Sequence, residues 1–206
     1  MKLIIFDMDG TLIDSGNVIT NTINYVRKSL GLDFIPKDIM LEQLNNPDIN
    51  SAEFFYGTSE FTDEQTELFT KYYDEHCVKD ISLYDGIESL LKNLKEDYIL
   101  SVATNASQSF AIKMLEFLDI SKYFTYIIGA DMVDKPKPDA DMILKTLEVL
   151  KINKEDAILV GDSHKDLRAA SNANIEFALV NWGFSKDYED AISNIKELEE
   201  IIKGKK

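Results

Sequence analysis

Short apolar runs alternate with longer amphipathic stretches over much of the chain. Five runs of three to six residues are rich in aliphatic side chains and are bounded by Gly, Asp or Asn; they lie at residues 3–6, 98–103, 126–128, 157–160 and 177–180. Runs this short and this apolar are typical of strands buried on both faces, as in a parallel sheet.

The stretches between these runs have helical periodicity. Apolar residues recur at helical spacing in three sets: Ile87, Leu90, Leu91 and Leu94; Ile143, Leu144, Leu147 and Leu150; Ile192, Ile195, Leu198 and Ile202. Strands that alternate with amphipathic helices indicate βαβ units with right-handed crossovers. The pattern therefore predicts an α/β fold with a doubly wound parallel sheet.

Residues 15–83 interrupt this alternation. They contain no convincing strand, residues 17–30 and 62–78 have helical patterns, and Pro36 and Gly57 fall in the stretch between those two helices. We expect a small all-helical unit at 15–83, inserted into an α/β core formed by 1–14 and 84–206.

Composition narrows the possible partners. The 206 residues include 37 acidic and 22 basic side chains, which gives a formal net charge of −15. Such a charge repels phosphate backbones and argues against nucleic-acid binding, so an anionic substrate has to be met by a local cation or a metal. No apolar run is long enough to span a membrane or to form a signal peptide, so we expect no membrane association. The single cysteine, Cys77, fits a reducing compartment, and we expect a cytoplasmic protein.

Polar residues follow four of the predicted strands. They lie at 7–11 (DMDGT), 104–105 (TN), 135–139 (KPKPD) and 161–166 (GDSHKD). The carboxyl ends of strands in an open α/β sheet form the ligand-binding edge, so these groups are expected to converge there. Clustered carboxylates raise one another's pKa unless a cation lies among them, and an all-oxygen set favours Mg²⁺. Each motif by itself is more often a turn or a helix cap; their order at successive strand ends favours a site.

These four motifs resemble the signature of the haloacid dehalogenase (HAD) superfamily. The string FDMDGTLIDS at 6–15 is the most specific of them. With a helical insertion after the first motif, the chain is similar to the phosphoglycolate-phosphatase-like hydrolases, which have a Rossmann-like core and a helical cap.

The resemblance implies catalytic roles for the first motif. Asp7 matches the nucleophile that forms an aspartyl-phosphate, and Asp9 matches the general acid/base that protonates the leaving oxygen and later activates water. Gly10 and Thr11 are expected to shape the turn that opens towards the cap.

The resemblance also implies roles for the other motifs. Thr104 and Asn105 match the residues that hold the substrate phosphate. Lys135 matches the lysine that orients the nucleophile; it is preferred to Lys137 because it precedes the first proline of Lys-Pro-x-Pro. The Mg²⁺ ligands are then Asp162, a carboxylate oxygen of Asp7 and the main-chain carbonyl of Asp9. Asp166 matches an outer-shell acid.

The expected function is that of an Mg²⁺-dependent phosphomonoester hydrolase acting on a small phosphorylated metabolite. Family members that cleave carbon–halogen or carbon–phosphorus bonds lack the second aspartate, so Asp9 favours transfer from an oxygen ester. A sugar phosphomutase of the β-phosphoglucomutase type and a non-catalytic phospho-receiver or binding module stay open. Either a monomer or a homodimer is compatible with the sequence.

The predicted cap carries the expected determinants of substrate choice. Residues 15–83 hold five basic and twelve acidic residues, which argues mildly against substrates with several phosphates. The same segment is rich in aromatic residues, most of them expected in its core. If Phe54 or Tyr56 faces the site, we expect the substrate to be a phosphomonoester that contains a ring.

Overall fold

The computed structural model describes residues 1–184 and 190–204 and has a parallel sheet at its centre. The strands are β1 (Leu3–Phe6), β2 (Ile13–Asp14), β3 (Ser82–Leu83), β4 (Ile99–Ala103), β5 (Tyr126–Ile128), β6 (Ala157–Gly161) and β7 (Glu176–Leu179). Five of them form the sheet in the order β5-β4-β1-β6-β7, with all pairings parallel. The chain thus builds outwards from β1 to one side and then to the other, which confirms the predicted doubly wound sheet.

Nine helices are described in these residues. They are α1 (Gly16–Ser29), α2 (Lys37–Leu44), α3 (Ser51–Tyr56), α4 (Asp63–His76), α5 (Ile87–Leu94), α6 (Gln108–Phe117), α7 (Asp141–Leu150), α8 (His164–Ala173) and α9 (Ile195–Gly204). None of the helices in the described part of the chain is long and apolar enough to cross a bilayer.

The central strand β1 is buried on both faces. Its side chains alternate between two cores: Ile4 and Phe6 join the apolar cluster on one face, and Leu3 and Ile5 join the cluster on the other. Helices α5, α6 and α9 contribute to the first cluster, and α7 and α8 contribute to the second. The apolar character of the whole strand is therefore required by its place in the middle of three layers.

The helical faces differ from the sequence pattern at two positions. The buried face of α7 contains Met142 and Ile143, whereas Leu144 is partly exposed, because the helix is rotated slightly from the predicted stripe. Ile192 precedes α9 and pairs with Val180 in an isolated bridge. The four apolar positions predicted for α5 are all buried.

The segment that interrupts the alternation is helical, as expected. Helices α1 to α4 share a small apolar cluster centred on Ile23, Val26 and Met40. The short strand β3 lies at the end of residues 15–83, where the sequence pattern predicted no strand. It pairs antiparallel with β2, so the chain leaves and re-enters the core at neighbouring points. The helical insertion after the first strand is thereby confirmed, while its exact boundaries stay a prediction.

The fold depends on the burial of α5 against the sheet. Leu90 is fully buried, so Leu90→Ala should lower the free energy of unfolding by about 2–5 kcal/mol, because it removes apolar contacts and leaves a cavity. Leu144→Ala, at a partly exposed position, is the matched control and should cost less than about 1 kcal/mol. Urea denaturation checks both; equal losses would contradict the described packing of α5.

Candidate active site

The strand order brings three of the predicted motifs together. Because β1 lies between β4 and β6, the residues that follow these strands, Asp7, Thr104 and Asp162, are neighbours at one edge of the sheet. All three side chains are buried. Asp9, two residues after Asp7, lies at the same edge and is half-buried.

A buried ammonium joins the first and fourth motifs. The Nζ atom of Lys137 donates to Oδ1 of Asp7 at 2.6 Å and to Oδ1 of Asp166 at 2.7 Å. The two carboxylates raise the pKa of Lys137 well above its ordinary value, although burial alone would lower it. Lys137 is therefore a fixed cation beside Asp7.

The prediction that Lys135, and not Lys137, lies beside Asp7 was wrong. The side chain of Lys135 is exposed, and its main-chain N–H donates to the carboxylate of Asp141 at the start of α7. The main-chain carbonyl of Lys137 instead accepts from the side chain of Asn105 at 2.9 Å, which fixes this part of the loop against the end of β4. The loop contains Lys-Pro twice in succession, so either lysine could match the lysine of the family motif. Only the tertiary contacts distinguish the two.

Both carboxylate oxygens of Asp166 are bound by other groups of the protein. One of its oxygens binds Lys137, and the other accepts from the hydroxyl of Ser163, whose own oxygen caps the first turn of α8. Gly161 makes this possible, since a Cβ there would lie only 2.5 Å from the carboxyl carbon of Asp166. With both oxygens bound to the protein, Asp166 fits the predicted outer-shell place.

Asp162 has one satisfied and one unsatisfied oxygen. Its Oδ2 accepts from the main-chain N–H of Phe184 at 2.9 Å and from the side chain of Asn45 at 3.1 Å. Its Oδ1 is buried and has no hydrogen-bond partner among residues 1–184 and 190–204. Gly10 allows the close approach, because its φ is +85° and a Cβ would lie 2.3 Å from Asp162. A buried oxygen without a partner is costly unless it binds a ligand.

The cluster has more negative charge than its lysine can balance. Burial, followed by the charges of neighbouring aspartates, raises the pKa of Asp7 well above its ordinary value despite the opposing effect of Lys137. Burial and the charge of Asp166 raise the pKa of Asp162 to about 7. Carboxylates under such strain are stabilised in their charged form by a divalent cation.

Three carboxylates are placed so that they could surround such a cation. One oxygen from each of Asp7, Asp162 and Asp166 lies within 4.8 Å of the others, and all three residues are buried. Since Asp166 is engaged by Lys137 and Ser163, the unpartnered Oδ1 of Asp162 is the clearest free ligand. The donor set consists of hard oxygen atoms, which suits a divalent metal such as Mg²⁺ or Ca²⁺.

Asp9 is oriented by two hydroxyls. Ser15, from the start of the helical segment, donates to one oxygen, and Thr104 donates to the other at 3.4 Å. Burial raises the pKa of Asp9, with Ser15, Lys137 and Thr104 opposing that change. The arrangement keeps a carboxyl group with a raised pKa at the same edge as Asp7.

The second motif is tied to both flanking motifs. Thr104 donates to Asp9 and accepts from the main-chain N–H of Ala106, and Asn105 donates to the loop that carries Lys137. Both line the cavity beside Asp7. The N–H of Gln108 at the start of α6 is occupied by the carboxylate of Asp131, so this donor does not face a ligand.

A cavity of about 380 Å³ lies between the sheet edge and the helical segment. Polar groups of the four motifs line one part of the cavity, and the aromatic side chains of Phe69, Tyr73 and Phe110 line another. The hypothesis that Phe54 or Tyr56 faces the site is not supported, because Tyr56 packs in the core of the helical segment and Phe54 packs edge-on against Phe55. The periodicity of α4 gave no sign of which aromatic rings would face inwards.

Comparison with known proteins identifies the family. The family model of the haloacid dehalogenase-like hydrolases matches residues 4–180 of this chain. A phosphoglycolate phosphatase from Aquifex aeolicus is 34% identical over 187 residues, which cover 90% of this chain and 87% of the relative. The chain belongs to the haloacid dehalogenase-like hydrolases.

Other members of the HAD family support this assignment. The pyrophosphatase PpaX of Listeria innocua is 30% identical over 183 residues, covering 87% of this chain and 82% of the relative. The crystal structure of a predicted phosphatase from Clostridium acetobutylicum superimposes with a TM-score of 0.88 at 26% identity and covers 98% of both chains. The prediction of an enzyme, a HAD-like phosphatase, is confirmed.

Sequence reasoning about the HAD motifs missed three residues at the site. Asn45 and Lys165 line the cavity, and Phe184 lines it while its main-chain N–H binds Asp162. Lys165 lies inside the fourth motif and could have been singled out as a cation next to the predicted acids. Asn45 reaches the site from the helical segment, and nothing in its local pattern indicates this. Phe184 lies shortly after β7, a position that allows either pocket lining or packing at the sheet edge, and packing was the preferred interpretation.

Lys137 and Lys135 provide a direct test of the site lysine. Lys137→Met leaves Asp7 and Asp166 buried without their cation, so we expect a loss of stability of about 3–5 kcal/mol at pH 8 in metal-free buffer. The loss should be smaller at pH 5. Without the ammonium the folded-state carboxyl pKa values lie above those of the unfolded chain, so stability falls as pH rises above about 4. Thermal and urea denaturation at both pH values measure this.

The matched control for that test is Lys135→Met, which removes an exposed ammonium from the same loop. Its effect should stay within about 0.5 kcal/mol at both pH values. A large effect of Lys135→Met together with a small effect of Lys137→Met would restore the original assignment.

Proposed function

We propose that this protein is an Mg²⁺-dependent phosphomonoester hydrolase that acts on a small phosphorylated metabolite through an aspartyl-phosphate on Asp7. The observation that carries the proposal is the contact of Lys137 with Asp7, next to Asp162 with its unpartnered buried oxygen. A carboxylate nucleophile and a phosphate group are both anions and repel each other. A fixed cation beside the carboxylate, in a cluster suited to a divalent metal, reduces this repulsion.

The first half-reaction uses Asp7 and Asp9. A carboxylate oxygen of Asp7 attacks phosphorus, the bond between phosphorus and the ester oxygen breaks, and Asp9 transfers its proton to the departing oxygen. The raised pKa of Asp9 and its two hydroxyl partners support the role of a proton donor at this place.

The second half-reaction returns the enzyme to its starting state. Asp9, now a carboxylate, accepts a proton from water while the water oxygen attacks phosphorus. The bond between phosphorus and the Asp7 oxygen breaks, and inorganic phosphate leaves. The same Ser15 and Thr104 hydroxyls hold Asp9 for both proton transfers.

The other polar groups hold the substrate phosphate. We assign Thr104 and Asn105 to phosphate binding, since both line the cavity beside Asp7. Lys137 orients Asp7 and balances the charge that gathers around phosphorus, which is the role first assigned to Lys135. Lys137 lies deep enough that its two carboxylate partners fix its position.

Asp7, Asp162 and the main-chain carbonyl of Asp9 would hold the Mg²⁺ ion, with Asp166 supporting them. The buried oxygen of Asp162 and the all-oxygen donor set fit this ion. When bound, Mg²⁺ neutralises negative charge on the phosphoryl oxygens and on the carboxylates around them.

The size of the cavity favours a small substrate. At about 380 Å³ it is near the lower end of the roughly 300–1,000 Å³ found for small-molecule pockets. Relatives named phosphoglycolate phosphatase and pyrophosphatase PpaX support a substrate of a few heavy atoms. We also propose that residues 15–83 form a cap over a core of 1–14 and 84–206, because α1 and α4 contribute residues to the lining of the cavity.

The central experiment measures release of inorganic phosphate from p-nitrophenyl phosphate, phosphoglycolate and pyrophosphate, with Mg²⁺ and with chelator. We expect turnover that requires the metal. Asp7→Asn keeps the shape of the side chain and removes the nucleophile, so it should lower kcat by at least about 10³-fold. Asp9→Asn should lower kcat by about 10²–10⁴-fold, because it removes proton transfer. Transfer of phosphate to a sugar without its release would indicate a phosphomutase, and Asp7→Asn with full activity would overturn the mechanism.

The metal site gives a separate prediction that needs no substrate. Binding of Mg²⁺ requires ionised carboxylates, and the pKa of Asp162 is raised to about 7, so Mg²⁺ should increase the melting temperature more at pH 8 than at pH 5. Asp162→Asn should abolish this increase, while Asp139→Asn, an exposed acid of the third-motif loop, should retain it. An increase that persists in Asp162→Asn would place the metal elsewhere.

A further inference from the structure

Lys165 is a partly buried cation in the wall of the cavity. It lies in the first turn of α8, next to Asp166, and its Nζ donates to the main-chain carbonyl of Leu44 at 2.6 Å. Among residues 1–184 and 190–204 no carboxylate forms an ion pair with it. Its direct hydrogen-bond partner is thus a neutral carbonyl, and the adjacent carboxylate of Asp166 is already bound by Lys137.

The two lysines of the cavity differ in this respect. Lys137 forms ion pairs with Asp7 and Asp166, whereas the direct contact of Lys165 in the described residues is with a neutral carbonyl, and Asp166 lies beyond ion-pair distance from it. These are the two basic residues that line the cavity in the described part of the chain. A ligand with a second negative group would therefore find at Lys165 an ammonium that has no ion-pair partner in the described residues.

The position of Lys165 is unfavourable for the fold itself. The N-terminal turn of a helix carries partial positive charge, so a lysine there is repelled by the helix dipole of α8. Partial burial of an ammonium without a counter-ion adds a desolvation cost. One contact with the carbonyl at the end of α2 offsets only part of this cost, and an anion in the cavity would offset the rest.

We propose that Lys165 determines specificity by binding a second anionic group, a carboxylate or a phosphoryl group, on a substrate whose reacting phosphate lies at Asp7. The inference rests on the proposed function and assigns to one side chain the choice of substrate class. The aromatic lining formed by Phe69, Tyr73 and Phe110 is largely apolar, and the hydroxyl of Tyr73 is directed at the sulfur of Met114. Lys165 is thus a charged group of the cavity, without a direct ion pair in the described residues, that can distinguish a phosphate ester with a second acidic group from one without it.

Lys165 has one competing structural role, which the experiment has to separate. It joins the end of α2 to α8, and Arg168 does the same one turn later through a bidentate pair with Asp48 at 2.8 and 3.0 Å. Arg168 is exposed and does not line the cavity. Arg168→Met therefore loosens the same junction without removing a charge from the cavity, and it is the matched control.

The test compares phosphoglycolate with ethyl phosphate, which has the same two-carbon frame and no carboxylate. Pyrophosphate is the third substrate, and its second anionic group is a phosphoryl group. With Mg²⁺ present, Lys165→Met should reduce the ratio of kcat/KM for phosphoglycolate over ethyl phosphate, or for pyrophosphate over ethyl phosphate, by about 10–100-fold, as expected for one charge-assisted hydrogen bond. The substrate whose ratio falls identifies the anionic group. Lys165→Arg should recover most of the ratio, and Arg168→Met should leave it within about 2-fold.

A binding measurement keeps the inference separate from the proposed function. Calorimetry with the Asp7→Asn protein should show binding of phosphoglycolate or pyrophosphate that weakens by about 10–100-fold when Lys165→Met is added, with no comparable loss for ethyl phosphate. Lys165-dependent binding without any turnover in the wild-type protein would overturn the proposed function and leave this inference standing. Turnover with ratios and affinities that do not respond to Lys165→Met, or that respond equally to Arg168→Met, would overturn the inference alone.

Discussion

The contact of the Lys137 ammonium with Asp7 and Asp166 is the interaction on which the site depends. It joins the end of β1, the loop after β5 and the first turn of α8, which are far apart in sequence. Burying one ammonium between two carboxylates is tolerable because each carboxylate contacts the ammonium, and removing the lysine would leave two buried carboxylates without their cation. Those contacts fix the orientation of Asp7 before any substrate arrives.

The cluster around this ion pair still has an excess of negative charge. Burial and mutual repulsion raise the pKa values of Asp7 and Asp162, and within the described residues the remaining oxygen of Asp162 has no partner. The protein thus concentrates acids in a place where they are unfavourable by themselves. Buried acids with raised pKa values are typical of functional sites, and this cluster has the charge and the free oxygen that a bound cation would need.

Contacts between the helical segment and α8 close one side of the cavity. Asn45 binds Asp162, Lys165 binds the last carbonyl of α2, and Arg168 pairs with Asp48. The residues that approach a substrate from this side are therefore placed by the same contacts that hold the segment against the sheet. If Lys165 binds the substrate as proposed, a single helix, α8, links the choice of substrate to the contacts that hold the helical segment.

Local patterns accounted for most of the framework. Strand positions followed from apolar runs because a strand covered on both faces needs apolar side chains throughout, and β1 with its alternating cores shows this directly. The acids Asp7, Asp9, Asp162 and Asp166 could be found because the carboxyl ends of parallel strands meet at one edge. The helical segment was found from the lack of strand patterns, although its shorter helices were not.

The sequence by itself determined the doubly wound sheet, the helical insertion and the acids of the site, since each depends on periodicity or on position at a strand end. Only the tertiary structure decided which lysine serves the site. Lys135 and Lys137 precede prolines in the same loop, and the hydrogen bond from Asn105 to the Lys137 carbonyl turns one inwards and leaves the other exposed. The same holds for Asn45, because contacts between segments distant in sequence depend on how the elements pack and leave no local pattern to detect. Lys165 and Phe184 lie within or shortly after motifs and strands that the sequence predicts, but only the packing shows that they line the cavity.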